Sequence, residues 1–141
     1  MLTMLLTAAA VLTACTAARK ALCRAGRRET SHWGGRVRLT ALWNDGAAFG
    51  LPIGRRTVLA GSLAALLAAA GCLGRNPAAA GLVLGGGLSN FWERLRRGRV
   101  YDYLRFPGAP GPLGRYVYNL ADLAVFLGAA GLLLGGLHRR R

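Results

Sequence analysis

Four apolar segments, residues 1–18, 57–73, 78–92 and 117–137, set the constraint that any fold of this 141-residue chain must meet. Each is close to the roughly 20 residues with which a helix crosses a bilayer's hydrocarbon core. In hydrocarbon every backbone N–H and C=O must find its partner inside the protein, so only helices and closed barrels can span. The segments therefore predict an all-α membrane protein with four transmembrane helices, one membrane domain over 1–141. The third segment is short, and Glu93 and Arg94 extend it into the headgroup zone, where an arginine can reach outward along its own stem. Four spans leave the two polar loops, 19–56 and 93–116, on the same side.

Charge follows the same division. The chain is 53% hydrophobic with a net charge of +14, and it has only five acids. Its arginines flank the apolar segments without aromatic interleaving, which excludes nucleic acid as a partner and points to anionic membrane lipid. The two loops carry fifteen Lys/Arg, nine in 19–56 and six in 93–116, against four on the opposite side. By the positive-inside tendency the loops would be cytoplasmic. Cys15, Cys23 and Cys72 follow no metal spacing, and His32 and His138 are isolated, so neither a metal nor a cofactor is expected. Gly85-Gly86-Gly87 lacks the Lys-Ser/Thr of a phosphate loop and instead allows close helix approach. Leu12-Thr13-Ala14-Cys15 looks like a lipoprotein cleavage site, but no Lys or Arg precedes it, so an uncleaved first helix is expected.

Two acids carry the chemical signal. Asp122 opens the last apolar segment, where a carboxylate costs roughly 2.5–3.5 kcal/mol on insertion scales and is a functional hypothesis by default. Asp102 lies upstream in the second loop. Residues 37–43 alternate imperfectly and predict a short strand at the membrane surface. Residues 106–114 hold three prolines and three glycines, and so predict an irregular loop. Asn119 and Asp122 are three apart, and Asn90 and Arg94 four apart, so each pair shares a helix face. An Asn at a helix start also serves as a cap.

Four motifs occur in order: Asn44-Asp45-Gly46-Ala47-Ala48-Phe49-Gly50, Gly86-Gly87-Leu88-Ser89-Asn90-Phe91-Trp92-Glu93-Arg94, Gly98-Arg99-Val100-Tyr101-Asp102-Tyr103, and Tyr118-Asn119-Leu120-Ala121-Asp122. Together they resemble the lipoprotein signal peptidase (signal peptidase II) family, over roughly residues 40–137. The resemblance implies an aspartyl endopeptidase of the bacterial cytoplasmic (inner) membrane, multi-pass, with its active site towards the extracytoplasmic face. It implies four transmembrane helices with a small extracytoplasmic β-sheet, and diacylglyceryl-modified prolipoproteins as substrates. The family's catalytic aspartates fall on Asp102 and Asp122. Asn44, Asn90, Arg94 and Asn119 would line the substrate cleft. On orientation the resemblance overrides the charge bias and places the basic loops outside.

The chemistry is coherent without the family. Two carboxylates held together cannot both ionise easily and share a proton. The ionised one activates water while the protonated one donates to the amide carbonyl oxygen. Departures from the family pattern are Ser89 for Gly, Glu93 for Asp, Tyr103 and Tyr118 for Phe, and Thr16 where the first helix usually carries an acid four residues before Lys20. They leave room for a degenerate relative that binds lipidated peptides without cutting them. A different class, a small proton- or ion-coupled transport protein using Asp122, would more often show internal repeats.

Overall fold

The computed structural model describes residues 1–24, 29–45, 55–71 and 76–138. Cys72, Arg75, residues 46–50 of the first motif and the terminal Arg139-Arg140-Arg141 lie outside the described residues. The elements run α1 (Leu2–Arg24), β1 (Thr30–His32), β2 (Val37–Asn44), α2 (Arg55–Gly71), α3 (Pro77–Arg97), β3 (Val100–Arg105), α4 (Pro112–Arg115), β4 (Val117–Tyr118) and α5 (Leu120–His138).

The architecture is mostly helical, with one antiparallel sheet in the order β1-β2-β3-β4. It is not all-α. The sheet is larger than the single strand over 37–43 that alternation reveals, and the segment read as polar loop 93–116 contributes β3, β4 and the one-turn α4. Three strands had no visible signal for a physical reason. β1 and β4 span only three and two residues. β3, Val-Tyr-Asp-Tyr-Leu-Arg, buries its first four positions on both faces, so it shows no alternation.

The central helix is α3, which packs against α1, α2 and α5. Its ends are well defined. Asn76 accepts the Ala79 N–H at 3.1 Å, Pro77 takes the first helical turn, and Gly98 closes the helix at φ 77, its N–H bonded to Arg94 O. The glycine cluster makes the packing possible. A Cβ at Gly85 would stand 2.7 Å from the Ala8 carbonyl oxygen of α1, and one at Gly86 would stand 2.5 Å from the Ala121 oxygen of α5. Adjacent glycines thus admit two neighbouring backbones on two faces of α3 about 100° apart, the close approach that small residues allow between helices.

Among the described residues one helix, α1, is long and apolar enough to cross a membrane by itself, and α2 and α5 contain shorter apolar stretches. Large apolar side chains face outward on α1, α2 and α5, among them Leu2, Leu67, Leu127 and Leu133. The structure therefore has a polar-capped end, formed by the sheet, and an apolar lateral surface.

Candidate active site

The site is built around the first turn of α5. Asn119 is the residue before the helix, and Asp122 is the third residue inside it. Asn119 Oδ1 accepts the Asp122 N–H at 3.0 Å, and Asp122 Oδ2 accepts the Asn119 N–H at 3.0 Å. This is a reciprocal capping box, which satisfies N–H groups the helix leaves unpaired. It also holds a carboxylate at the positive end of the helix dipole. Tyr103 of β3 completes the cap, its hydroxyl oxygen accepting the Leu120 N–H at 3.1 Å.

With its carbonyl engaged, the Asn119 amide points Nδ2 outward and donates to Asp102 Oδ1 at 2.7 Å. One side chain therefore ties both aspartates together. The other oxygen of each carboxyl is held from a different element. Asn44, the last residue of β2, donates to Asp102 Oδ2 at 3.0 Å. Asn90 of α3 donates to Asp122 Oδ1 at 2.8 Å. Four amide and main-chain N–H groups thus converge on two carboxyls supplied by β3 and α5. Register explains the reach of Asn44: β2 pairs with β3 so that Leu42 lies opposite Asp102 and Asn44 opposite Val100.

Asp102 and Asp122 line one cleft with Asn44, Arg94, Tyr116, Val117, Tyr118 and Phe126, about 390 Å³ counted to its open mouth. Asp102 is buried, and its carboxyl is pushed up to about 6, first by burial and then by the charge of Asp122. Hydrogen bonds from Asn44 and Asn119 and the Arg94 cation oppose that rise. The Tyr103 hydroxyl is pushed up to about 12, again mainly by burial, and stays protonated. Tyr118 lies edge-on to Phe126, ring centroids 6.1 Å apart, and its hydroxyl donates to Pro112 O at 2.8 Å. The cleft is therefore walled by aromatics on the side where α5 meets the lateral apolar surface.

All six residues singled out from sequence meet here, in two layers. Asp102, Asp122, Asn44 and Arg94 face the open cleft. Asn90 and Asn119 hold the carboxyls from behind and line a smaller cavity with Cys15, Arg19, Ser89, Glu93, Tyr101, Tyr103 and Ala121. Arg94 forms no ion pair among the described residues, although both aspartates lie within its electrostatic reach.

Sequence reasoning missed two members of that rear wall. Tyr103 departs from the family's Phe by a hydroxyl, and that hydroxyl caps α5. Arg19 of α1 forms a salt bridge with Glu93 of α3 at 3.2 Å, and both side chains are largely sequestered. Arg97 stands 3.7 Å from the same Glu93. The described residues hold no group of three His, Cys, Asp or Glu that could bind a metal ion.

A family model of signal peptidase (SPase) II matches residues 5–138. The lipoprotein signal peptidase of Methylorubrum extorquens (strain PA1) is 35% identical over 106 residues, 68% of this chain and 61% of that protein. That of Halothermothrix orenii is 39% identical over 103 residues, covering 68% of this chain and 67% of the relative. The chain thus spans about 61% of the length of the first of these relatives. A bacterial membrane enzyme solved by the in meso method at 2.3 Å resolution superposes with a TM-score of 0.85 at 20% identity, covering 98% of this chain and 89% of the other. A second, at 1.9 Å resolution, gives 0.80 at 20% identity, covering 97% and 94%. These two likenesses concern the fold.

Proposed function

The chain belongs to the signal peptidase II family, and we propose that it is a membrane aspartyl endopeptidase that removes signal peptides from diacylglyceryl-modified prolipoproteins. The observation that carries this reading is the pair of carboxyls, Asp102 and Asp122, opening on one cleft and bridged by Asn119.

The pair holds one proton between two carboxyls. Burial and the neighbouring charge keep Asp102 at about 6, so near neutrality placing a proton on the pair costs little. The ionised carboxyl removes a proton from a water in the cleft as its oxygen attacks the scissile carbonyl carbon. The protonated carboxyl donates to the carbonyl oxygen. In the collapse of the tetrahedral species the C–N bond breaks, the protonated carboxyl gives its proton to the leaving nitrogen, and the other carboxyl takes a hydroxyl proton as the C=O re-forms, so the pair again holds one. Because the groups titrate as a unit, neither role belongs to one residue. Asn44, Asn90 and Asn119 fix carboxyl orientation, so that the water and the carbonyl meet prepaid geometry. Arg94, a fixed cation with several donors, suits a lipid ester or a substrate carbonyl.

In this reading α1, α2, α3 and α5 cross the bacterial cytoplasmic membrane, and the sheet with the cleft lies at its extracytoplasmic face. The outward leucines and the aromatic wall at the cleft support a lipid-facing entry, through which a diacylglyceryl chain could remain in the bilayer while its peptide reaches the carboxyls. The intact hydrogen-bonded pair favours catalysis over a degenerate binding role.

The reading is tested by incubating the reconstituted full chain with one precursor in two forms, with and without the diacylglyceryl group on its cysteine, and weighing the products. Scission on the N-terminal side of the modified cysteine, with the unmodified form left intact, is expected. An intact modified precursor would identify a non-cutting relative.

A further inference from the structure

Away from the cleft, the outer face of α3 carries a graded stripe. Leu88, Trp92 and Leu95 are 41%, 55% and 44% exposed and follow one another at helical spacing, so they share a face. One turn beyond Trp92, the Arg96 guanidinium lies 5.8 Å from the indole centroid. The left-handed Gly98 then turns the chain, so that Arg97 and Arg99 both rest on Trp43 of β2, at 5.6 Å and 4.7 Å. Arg97 is shared with Glu93. Arg96 and Arg99 form no ion pair among the described residues.

Helix polarity explains part of this pattern, since cations are favoured in a helix's last turn. It does not explain Arg99, which lies past the helix end, nor the exposed indole and leucines below. A guanidinium held over an indole face within about 6 Å of its centroid keeps donors free for a phosphate. The apolar-to-cationic step from Leu88 to Arg96 measures about 12 Å along the helix, from the rise of 1.5 Å per residue. Leucine, then tryptophan, then arginine is the order of acyl chain, glycerol region and phosphodiester.

We propose that this stripe is a docking site for an anionic membrane phospholipid. Its phosphodiester is held by Arg96 and Arg99 over Trp92 and Trp43, and an acyl chain lies along Leu88 below the indole of Trp92. The inference rests on the membrane placement given above. A chain with net charge +14 and five acids has few internal partners for these arginines. Continuity with exposed leucines selects a lipid over a soluble anion or a nucleic acid. The site also gives the arginines of this loop a role on a face where the positive-inside tendency would not place them.

The test uses native mass spectrometry of the full chain released from nanodiscs of mixed phosphatidylcholine and phosphatidylglycerol. The unaltered protein should retain phosphatidylglycerol preferentially. The Arg96→Gln/Arg99→Gln variant should weaken that retention about 30-fold, the combined effect of two surface cations. A control of equal charge, Arg36→Gln/Arg38→Gln in the β1–β2 hairpin, should change it by less than about twofold, since those cations lie outside the stripe. Equal losses in both variants would overturn the site as diffuse charge attraction. Displacement of the lipid by inorganic phosphate at matching concentration would overturn the lipid assignment. Precursor cleavage in detergent by Arg96→Gln/Arg99→Gln should stay at the unaltered rate, which keeps this outcome separate from the proteolytic reading.

Discussion

Asn119 is the residue on which the site turns, because it serves a fold and a reaction with different atoms. Its Oδ1 caps α5 and its Nδ2 orients Asp102. The two duties separate by substitution. Asn119→Ser keeps a capping oxygen and loses the amide donor, so stability should hold within about 0.5 kcal/mol while cleavage falls. Asn119→Ala should lose both, with about 1 kcal/mol of stability gone by denaturant titration in detergent. Asp102 carries a pH signature with a definite sign. Its folded value of about 6 exceeds the ordinary 3.8, so between those values the folded state binds more protons than the unfolded state. Stability should therefore fall as pH rises across that window and be fully reduced above it. Asp102→Asn should flatten this slope, measured as unfolding midpoint against pH. At this scale the sequence was informative. An aspartate at the mouth of an apolar segment is costly enough to stand out, and the capping spacing from Asn119 to Asp122 is local. The Tyr103 hydroxyl was hidden, since its partner, the Leu120 N–H, is 17 positions away.

The elements converge on α3. Gly86 lies against Ala121, one residue before Asp122, so the helix contact and the chemistry share a location. Gly86→Leu should push α5 off α3, costing about 3 kcal/mol or more as an overpacked interface and abolishing cleavage by displacing Asp122. The Arg19–Glu93 bridge ties α1 to α3 about two turns beyond Gly86. Removing one partner leaves the other charge enclosed, so Glu93→Ala should destabilise by about 3 kcal/mol. The double change Arg19→Met/Glu93→Leu should recover most of that loss, measured by thermal unfolding in one detergent. Helices were legible from their apolar lengths. The bridge was not, because its residues lie 74 positions apart. β3 was not, because a short strand buried on both faces has no period to read.

Across the whole molecule, polarity is segregated: an apolar lateral wall, a sheet at one end, and the acid pair at their junction. That arrangement suits a substrate anchored in lipid with a peptide that must reach water. Its order along the chain was readable because one motif closes the third apolar segment and another opens the fourth. The closing of the sheet over the cleft was not, since it depends on β2 and β3 pairing across 58 positions between Asn44 and Asp102. The central claim is that the two carboxyls act as one proton-sharing unit. The most direct measurement is the single-turnover rate on a diacylglyceryl-modified precursor for Asp102→Asn, Asp122→Asn and the double variant, each confirmed as folded. If the pair is one unit, each single change should lower the rate at least about 100-fold, and the double should be no worse than either. A single variant cutting at the unaltered rate would contradict the shared-proton account.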